Sequence, residues 1–171
     1  MLDGVKVDHY LSLTMDAVAV SCDLVGGVEV TVLDDFTGID DTLVKGEKVT
    51  LMGEHALTYV RSRAGMEDST NGHRMIRQKQ YLEALYEKSM AQAQQSEIFI
   101  AEALARMSDY MISNCSVNQI EELYESIVSY KSNGIKTIEG TNKPGAQFIE
   151  FYPDANNLKK LTVELFYAPK N

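Results

Sequence analysis

From Val5 to Leu13 apolar and polar positions alternate: Val5, Val7, His9, Leu11 and Leu13 against Lys6, Asp8, Tyr10 and Ser12. Period two predicts a strand. The next stretch, MDAVAVSCDLV, is apolar on most of a helical surface and predicts a buried helix capped by Thr14. Gly26 and Gly27 end it, because glycine tolerates the left-handed backbone past a helix terminus. Val28, Val30 and Val32 then alternate as a second strand. Strand, helix, strand is the order of a βαβ crossover, with antiparallel pairing as the open alternative.

Past Val32 the periodicity breaks into LDDFTGIDD, read as a solvated acidic loop; the spacing of its aspartates is not that of an EF-hand. A turn at Gly46 and a short extended piece over Val49–Leu51 follow, then a helix from Gly53 in GEHALTYVRSR with Ala56, Leu57 and Val60 on one side. Residues 64–72 form a polar loop, with Asn71 as the cap of a long helix that runs to about Gln95 and turns Met75, Leu82, Leu85 and Tyr86 to the core. Two more amphipathic helices are expected. One spans Glu97–Ile112. The other, Val117–Tyr130, is capped by Ser116 with Ile120, Leu123, Ile127 and Val128 inward. A strand near Ile135–Glu139, an extended piece over Gln147–Tyr152 and a last helix opened by Pro153, with Leu158, Leu161, Val163 and Leu165 apolar, complete the chain.

Composition narrows the class. A chain of 171 residues, 44% hydrophobic and 24% charged, makes one domain with a sizeable core. With 16 Lys and Arg against 25 Asp and Glu the net charge is −9, which argues against general nucleic-acid binding and against a polybasic membrane patch. No apolar run approaches the roughly 20 residues of a membrane span, and the polar N-terminus is not a signal peptide. Cys22 and Cys115 make neither a disulfide framework nor a zinc site; two buried thiols are expected, with a single disulfide as the alternative in a secreted chain.

Against the acidic whole, Tyr59–Tyr81 gathers Arg61, Arg63, Arg74 and Arg77, with His73 and Gln78 beside them. Guanidinium groups stay charged and meet phosphate oxygens with a planar fork of donors. Arg74, Arg77, Gln78 and Tyr81 fall at i, i+3, i+4 and i+7, one face near a helix N-terminus that itself favours an anion. These residues are the candidate site for a phosphorylated substrate. The structural alternatives are a helix-dipole role for Arg61 and Arg63, packing roles for Tyr59 and Tyr81, and a surface place for His73. Val18, Val20, Leu24, Leu82 and Leu85 are candidates for an apolar pocket or for ordinary core.

Four stretches carry a family resemblance: DLVGGVEVTV, GEHALTYVRSR, HRMIRQKQYLEAL and FYPDANNLKKLTVELFY. Together they resemble the LytR-CpsA-Psr family. The resemblance implies an α/β fold, a three-layer α-β-α sandwich, with 1–171 as a single partial domain that lacks the N-terminal part. It implies a phosphotransferase that moves teichoic acid or capsular polysaccharide from a polyprenyl pyrophosphate carrier to peptidoglycan. It implies magnesium, with ligands mostly outside this chain, and an extracytoplasmic, membrane-tethered place in the full-length family. Arg61, Arg63, Arg74, Arg77 and Gln78 map onto the pyrophosphate site, and by this resemblance loss of Arg74 or Arg77 is expected to abolish pyrophosphate binding without unfolding. Asp68 falls where the family has an acidic residue, as catalytic base or as a carboxylate that holds an arginine. The shortened domain implies self-association or a complementary N-terminal half. Two other readings stand beside the enzyme: a non-catalytic module that binds polyprenyl phosphate or anionic glycopolymer, and a transcriptional regulator, which the acidic charge disfavours.

Overall fold

The computed structural model describes residues 5–63 and 71–167 and divides the chain into two compact units. One is His9–Asn133; the other joins Gly134–Asn171 to Met1–Asp8. The larger unit runs β1 (Leu11–Leu13), α1 (Ala17–Leu24), β2 (Val28–Thr31), β3 (Lys48–Leu51), α2 (Gly53–Arg61), α3 (Asn71–Gln95), α4 (Phe99–Met107), β4 (Met111–Ser113) and α5 (Val117–Ile127). The fold is mixed α/β, and its described strands pair as two-stranded antiparallel ribbons. β1 and β2 share no ribbon: β1 pairs with β4, and β2 pairs with β3 with Val30 opposite Val49. Neither the βαβ crossover nor antiparallel pairing of these two strands is therefore formed among the described strands, because each takes a partner from further along the chain.

α1 begins at Ala17, later than its apolar run suggests, because the Thr14 carbonyl rather than its side chain meets the Ala17 amide, at 3.2 Å. It ends as expected. Gly26 and Gly27 have φ of +71° and +92°, and the Gly27 amide returns to the Cys22 carbonyl at 2.9 Å. A Cβ on Gly27 would lie 2.6 Å from both Thr50 Cγ2 and Met52 Sδ, so only glycine lets β2 start this close to β3. Val28, Val30 and Val32 then point into a core with Cys22, Phe36 and Leu51, while Glu29 and Thr31 face out.

α3 buries a different stripe from the expected one. Met75 and Leu82 are about half exposed, whereas Arg77 and Tyr81 are buried and Ala84 and Leu85 pack against the core. Their spacing, i, i+4, i+7 and i+8, is a helical face with an arginine in it. α4 stops at Met107; a 3-10 turn over Ser108–Tyr110 leads into β4, which takes Ile112 out of the predicted helix and pairs Met111 with Leu13. α5 has the expected cap: Ser116 Oγ accepts from the Gln119 amide at 3.3 Å and Gln119 Oε1 from the Ser116 amide at 2.9 Å. Leu123, expected inward, is exposed.

In the smaller unit β5 (Gly140–Pro144) and β6 (Ile149–Pro153) form a hairpin followed by α6 (Ala155–Phe166). The first strand lies a few residues beyond its predicted place. Pro153 closes β6 instead of opening α6, whose cap is Asp154, accepting from the Asn157 amide at 2.6 Å. Val163 and Leu165 are exposed. Both cysteines are free thiols.

Candidate anion site at the ends of α2 and α3

The site is built on α2, which other elements hold at both ends. At its start Asp23 Oδ1 accepts from the Gly53 amide at 2.8 Å, placing a carboxylate where the helix dipole is positive. At its end the last carbonyls have no partner within the helix. Arg77 Nε donates to the Tyr59 carbonyl at 2.9 Å and Arg77 Nη2 to the Ser62 carbonyl; Gln78 Nε2 donates to the Val60 carbonyl at 3.1 Å. Two side chains of α3 thus cap α2 from outside.

Arg77 is only 1% exposed. A buried guanidinium is costly unless paired. Its Nη1 donates to Asp34 Oδ2, and its cationic plane lies 5.5 Å from the Phe36 ring, which stacks on Tyr59. His73 Nδ1 lies 3.0 Å from the other Asp34 oxygen. Burial would raise the Asp34 carboxyl, but hydrogen bonds from His73 and Arg77 outweigh it and hold it below the ordinary carboxylate range. The acidic loop is therefore not simply solvated. Asp34 is buried, and Asp40 is tied to Thr42 Oγ1 at 2.6 Å and to His55 Nδ1 at 2.7 Å.

The other predicted residues lie around this clamp. Ser62 leaves α2 in an extended conformation, φ −57° and ψ 138°, between Arg61 and Arg63, both exposed. Arg74, half-buried near the start of α3, donates from Nη2 to Asn71 Oδ1 at 2.6 Å. Its Nε is buried with no hydrogen-bond partner among the described residues. Asp68 lies outside the described residues. Arg77 and Gln78, expected at the head-group surface, spend donors on backbone carbonyls instead. His73 is exposed, as expected, and is also an Asp34 partner. Tyr59 and Tyr81 pack, their hydroxyls donating to Gln80 Oε1 at 2.6 Å and to the Val18 carbonyl at 3.1 Å. Asp34 and Phe36 lie in the stretch expected to be a solvated acidic loop; Arg77 sharing a face with Tyr81, Ala84 and Leu85 signals that the arginine needs a buried counterion, without saying which.

Of the five apolar pocket candidates, Val18 and Leu85 pack against the core and Leu82 is exposed. A cavity of about 650 Å³ opens elsewhere, among α3, α4 and α5, lined by Ala93, Ile100, Ala101, Tyr124 and Val128. Among the described residues no three His, Cys, Asp or Glu side chains are grouped so that they could hold a metal ion. Nor, among those residues, is any helix long and apolar enough to cross a membrane.

A buried clamp thus presents exposed arginines in a mixed α/β chain. The sequence matches the LytR_cpsA_psr family model over residues 1–166, and the chain belongs to the LytR-CpsA-Psr family. Among solved structures it is similar to TagV of B. subtilis, at 28% identity and TM-score 0.69, covering 98% of this chain and 67% of that one. It is similar to TagT bound to LI-WTA, at 25% identity and TM-score 0.73, covering 96% of this chain and 61% of that one. It shares the fold of an Enterococcus faecalis protein described as a transcriptional regulator, EF0465, at 23% identity and TM-score 0.76, covering 96% of this chain and 59% of that one. The chain thus spans about three-fifths to two-thirds of the length of these structures. No curated protein matches it.

Proposed function

We propose that this protein acts in transfer of a cell-envelope glycopolymer, such as teichoic acid or capsular polysaccharide, from a polyprenyl pyrophosphate carrier to peptidoglycan. Family membership and the likeness to TagT, itself seen with LI-WTA bound, support the class. The observation that carries the site is the arrangement of Arg61 and Arg63, exposed at and just past the end of α2, with Arg74 at the start of α3, whose buried Nε has no hydrogen-bond partner among the described residues.

In this reading Arg61, Arg63 and Arg74 take the pyrophosphate oxygens, and Arg77 and Gln78 hold the backbone that presents them. Phosphoryl transfer needs positioning and charge neutralisation above all. The acceptor hydroxyl attacks the phosphorus next to the glycopolymer, the P–O bond to the polyprenyl phosphate breaks, and that phosphate leaves. Asp68 is assigned as acceptor of the hydroxyl proton. The resemblance implies magnesium, but the roles assigned to these residues do not run through it. This reading takes the β2–β3 ribbon as part of a three-layer α-β-α sandwich and the reaction as one outside the cytoplasm.

Calorimetric titration with a polyprenyl pyrophosphate analogue tests the site. Binding should be lost in Arg74→Ala and in Arg61→Ala, with unfolding midpoints unchanged. Normal binding by both variants would overturn the assignment.

A further inference from the structure

Asp34 sits where the two sides of the proposed anion site meet. It comes from the loop after β2, far in sequence from the arginines, and its side chain is 5% exposed. One oxygen takes Arg77 Nη1, and Arg77 holds the Tyr59 and Ser62 carbonyls on the backbone that carries Arg61 and leads to Arg63. The other oxygen meets His73 Nδ1 at 3.0 Å, and His73 directly precedes Arg74. A single carboxylate is therefore linked, through one side chain on each side, to both groups of exposed cations.

We infer that Asp34 is a positioning residue that sets the distance between the Arg61–Arg63 pair and Arg74, and so selects a two-phosphate anion over a single phosphate. The inference rests on the pyrophosphate reading given above. Its physical basis is that Asp34 touches no substrate yet fixes the backbone on both sides of the gap. Cations on one rigid end of a helix serve a single phosphate well enough; a pyrophosphate must be met from both ends at once. The carboxylate is specific to this task. An amide of the same shape accepts only at its oxygen, presents N–H groups to one of the two donors, and leaves the Arg77 charge buried without its counterion. A glutamate keeps the charge but adds a methylene in a cluster where Phe36 is fully buried.

The experiment compares inorganic pyrophosphate with inorganic phosphate on the full chain by calorimetry, below the unfolding midpoint of every variant. The variants are Asp34→Asn, Asp34→Glu, His73→Ala and, as a control for lost core packing, Val30→Ala. The wild type should prefer pyrophosphate. Asp34→Asn should lose about tenfold on pyrophosphate and much less on phosphate, so that the preference collapses. Asp34→Glu should recover part of it, His73→Ala should lower it about threefold, and Val30→Ala should lower the unfolding midpoint and leave the preference intact. A folded Asp34→Asn with unchanged preference would overturn the inference; if that variant does not fold, an unchanged preference in His73→Ala, whose site is partly exposed, would do so. Failure of the underlying reading looks different: pyrophosphate then fails to bind the wild type, or binds Arg61→Ala and Arg74→Ala normally, whatever Asp34→Asn does.

Discussion

Arg77 Nε donates to the Tyr59 carbonyl at 2.9 Å, so a helix end is closed by a cation from the next helix. Removing that cation leaves buried Asp34 with only the partly exposed His73 beside it, and the Tyr59 and Ser62 carbonyls without the donors Arg77 supplies. Arg77→Ala should therefore cost about 3–5 kcal/mol in urea unfolding, as for other broken buried pairs. Arg61→Ala, on the exposed side of the same turn, should stay within about 0.5 kcal/mol. This reverses the sequence expectation that Arg77 could be removed without unfolding. Equal midpoints for the two variants would refute the clamp.

Acid should weaken the protein through the same carboxylate. Asp34 is held below its unfolded value, so its contribution is fully present above the unfolded carboxylate pKa of about 3.9 and is lost as pH falls through the lower folded value. Asp40 acts in the same direction: burial raises it, but hydrogen bonds from Thr42 and His55 prevail. Stability measured by urea titration between pH 6 and pH 2 should fall (a range on the order of the shifted carboxylates), and Asp34→Asn should flatten the slope while lowering the plateau.

Alkali should act through Tyr59. Burial pushes its phenol up to about 12. The folded state keeps the proton after the unfolded chain has released it, so stability is fully present below the unfolded value of about 10 and is lost as pH rises toward the folded one. Tyr59→Phe removes the hydroxyl's bond to Gln80 and should lower stability at neutral pH by about 1 kcal/mol. It should also shorten the alkaline decline, read by the unfolding midpoint between about pH 8 and 11.

Gly26 and Gly27 invite a paired substitution. Both have positive φ, but a Cβ on Gly26 meets open space and one on Gly27 meets Thr50 and Met52 at 2.6 Å. Gly26→Ala should cost only the left-handed backbone penalty, about 1–2 kcal/mol. Gly27→Ala adds overpacking and should cost about 3 kcal/mol or more. Thermal unfolding of the two variants side by side checks the order.

Where side-chain period and local caps decide the structure, the sequence was readable. The Val28, Val30, Val32 alternation, the glycine stop of α1, α2 from Gly53 and the Ser116 cap all stand where the pattern puts them. The site was readable only in part, because its organising contact joins Arg77 to Asp34 across 43 positions. A charged residue on a helix reads as surface or ligand contact until its counterion is found, and no local rule points from Arg77 to the loop after β2. The stripe of α3 was misplaced for the same reason: Met75 and Leu82 were counted because they are apolar, and Arg77 was not because it is charged. Ile112 was assigned to a helix because a three-residue strand such as β4 is fixed by its partner β1, not by its own period.

Cys22 is fully buried, donates to the Leu51 carbonyl at 3.1 Å and has its thiol pushed up by burial, while Cys115 is partly exposed. The native chain therefore carries a built-in clock. A maleimide should modify one thiol quickly and the other only as often as the core beneath Arg77 opens, so the slow labelling rate reports, without any engineered probe, how firmly the arginine platform is seated.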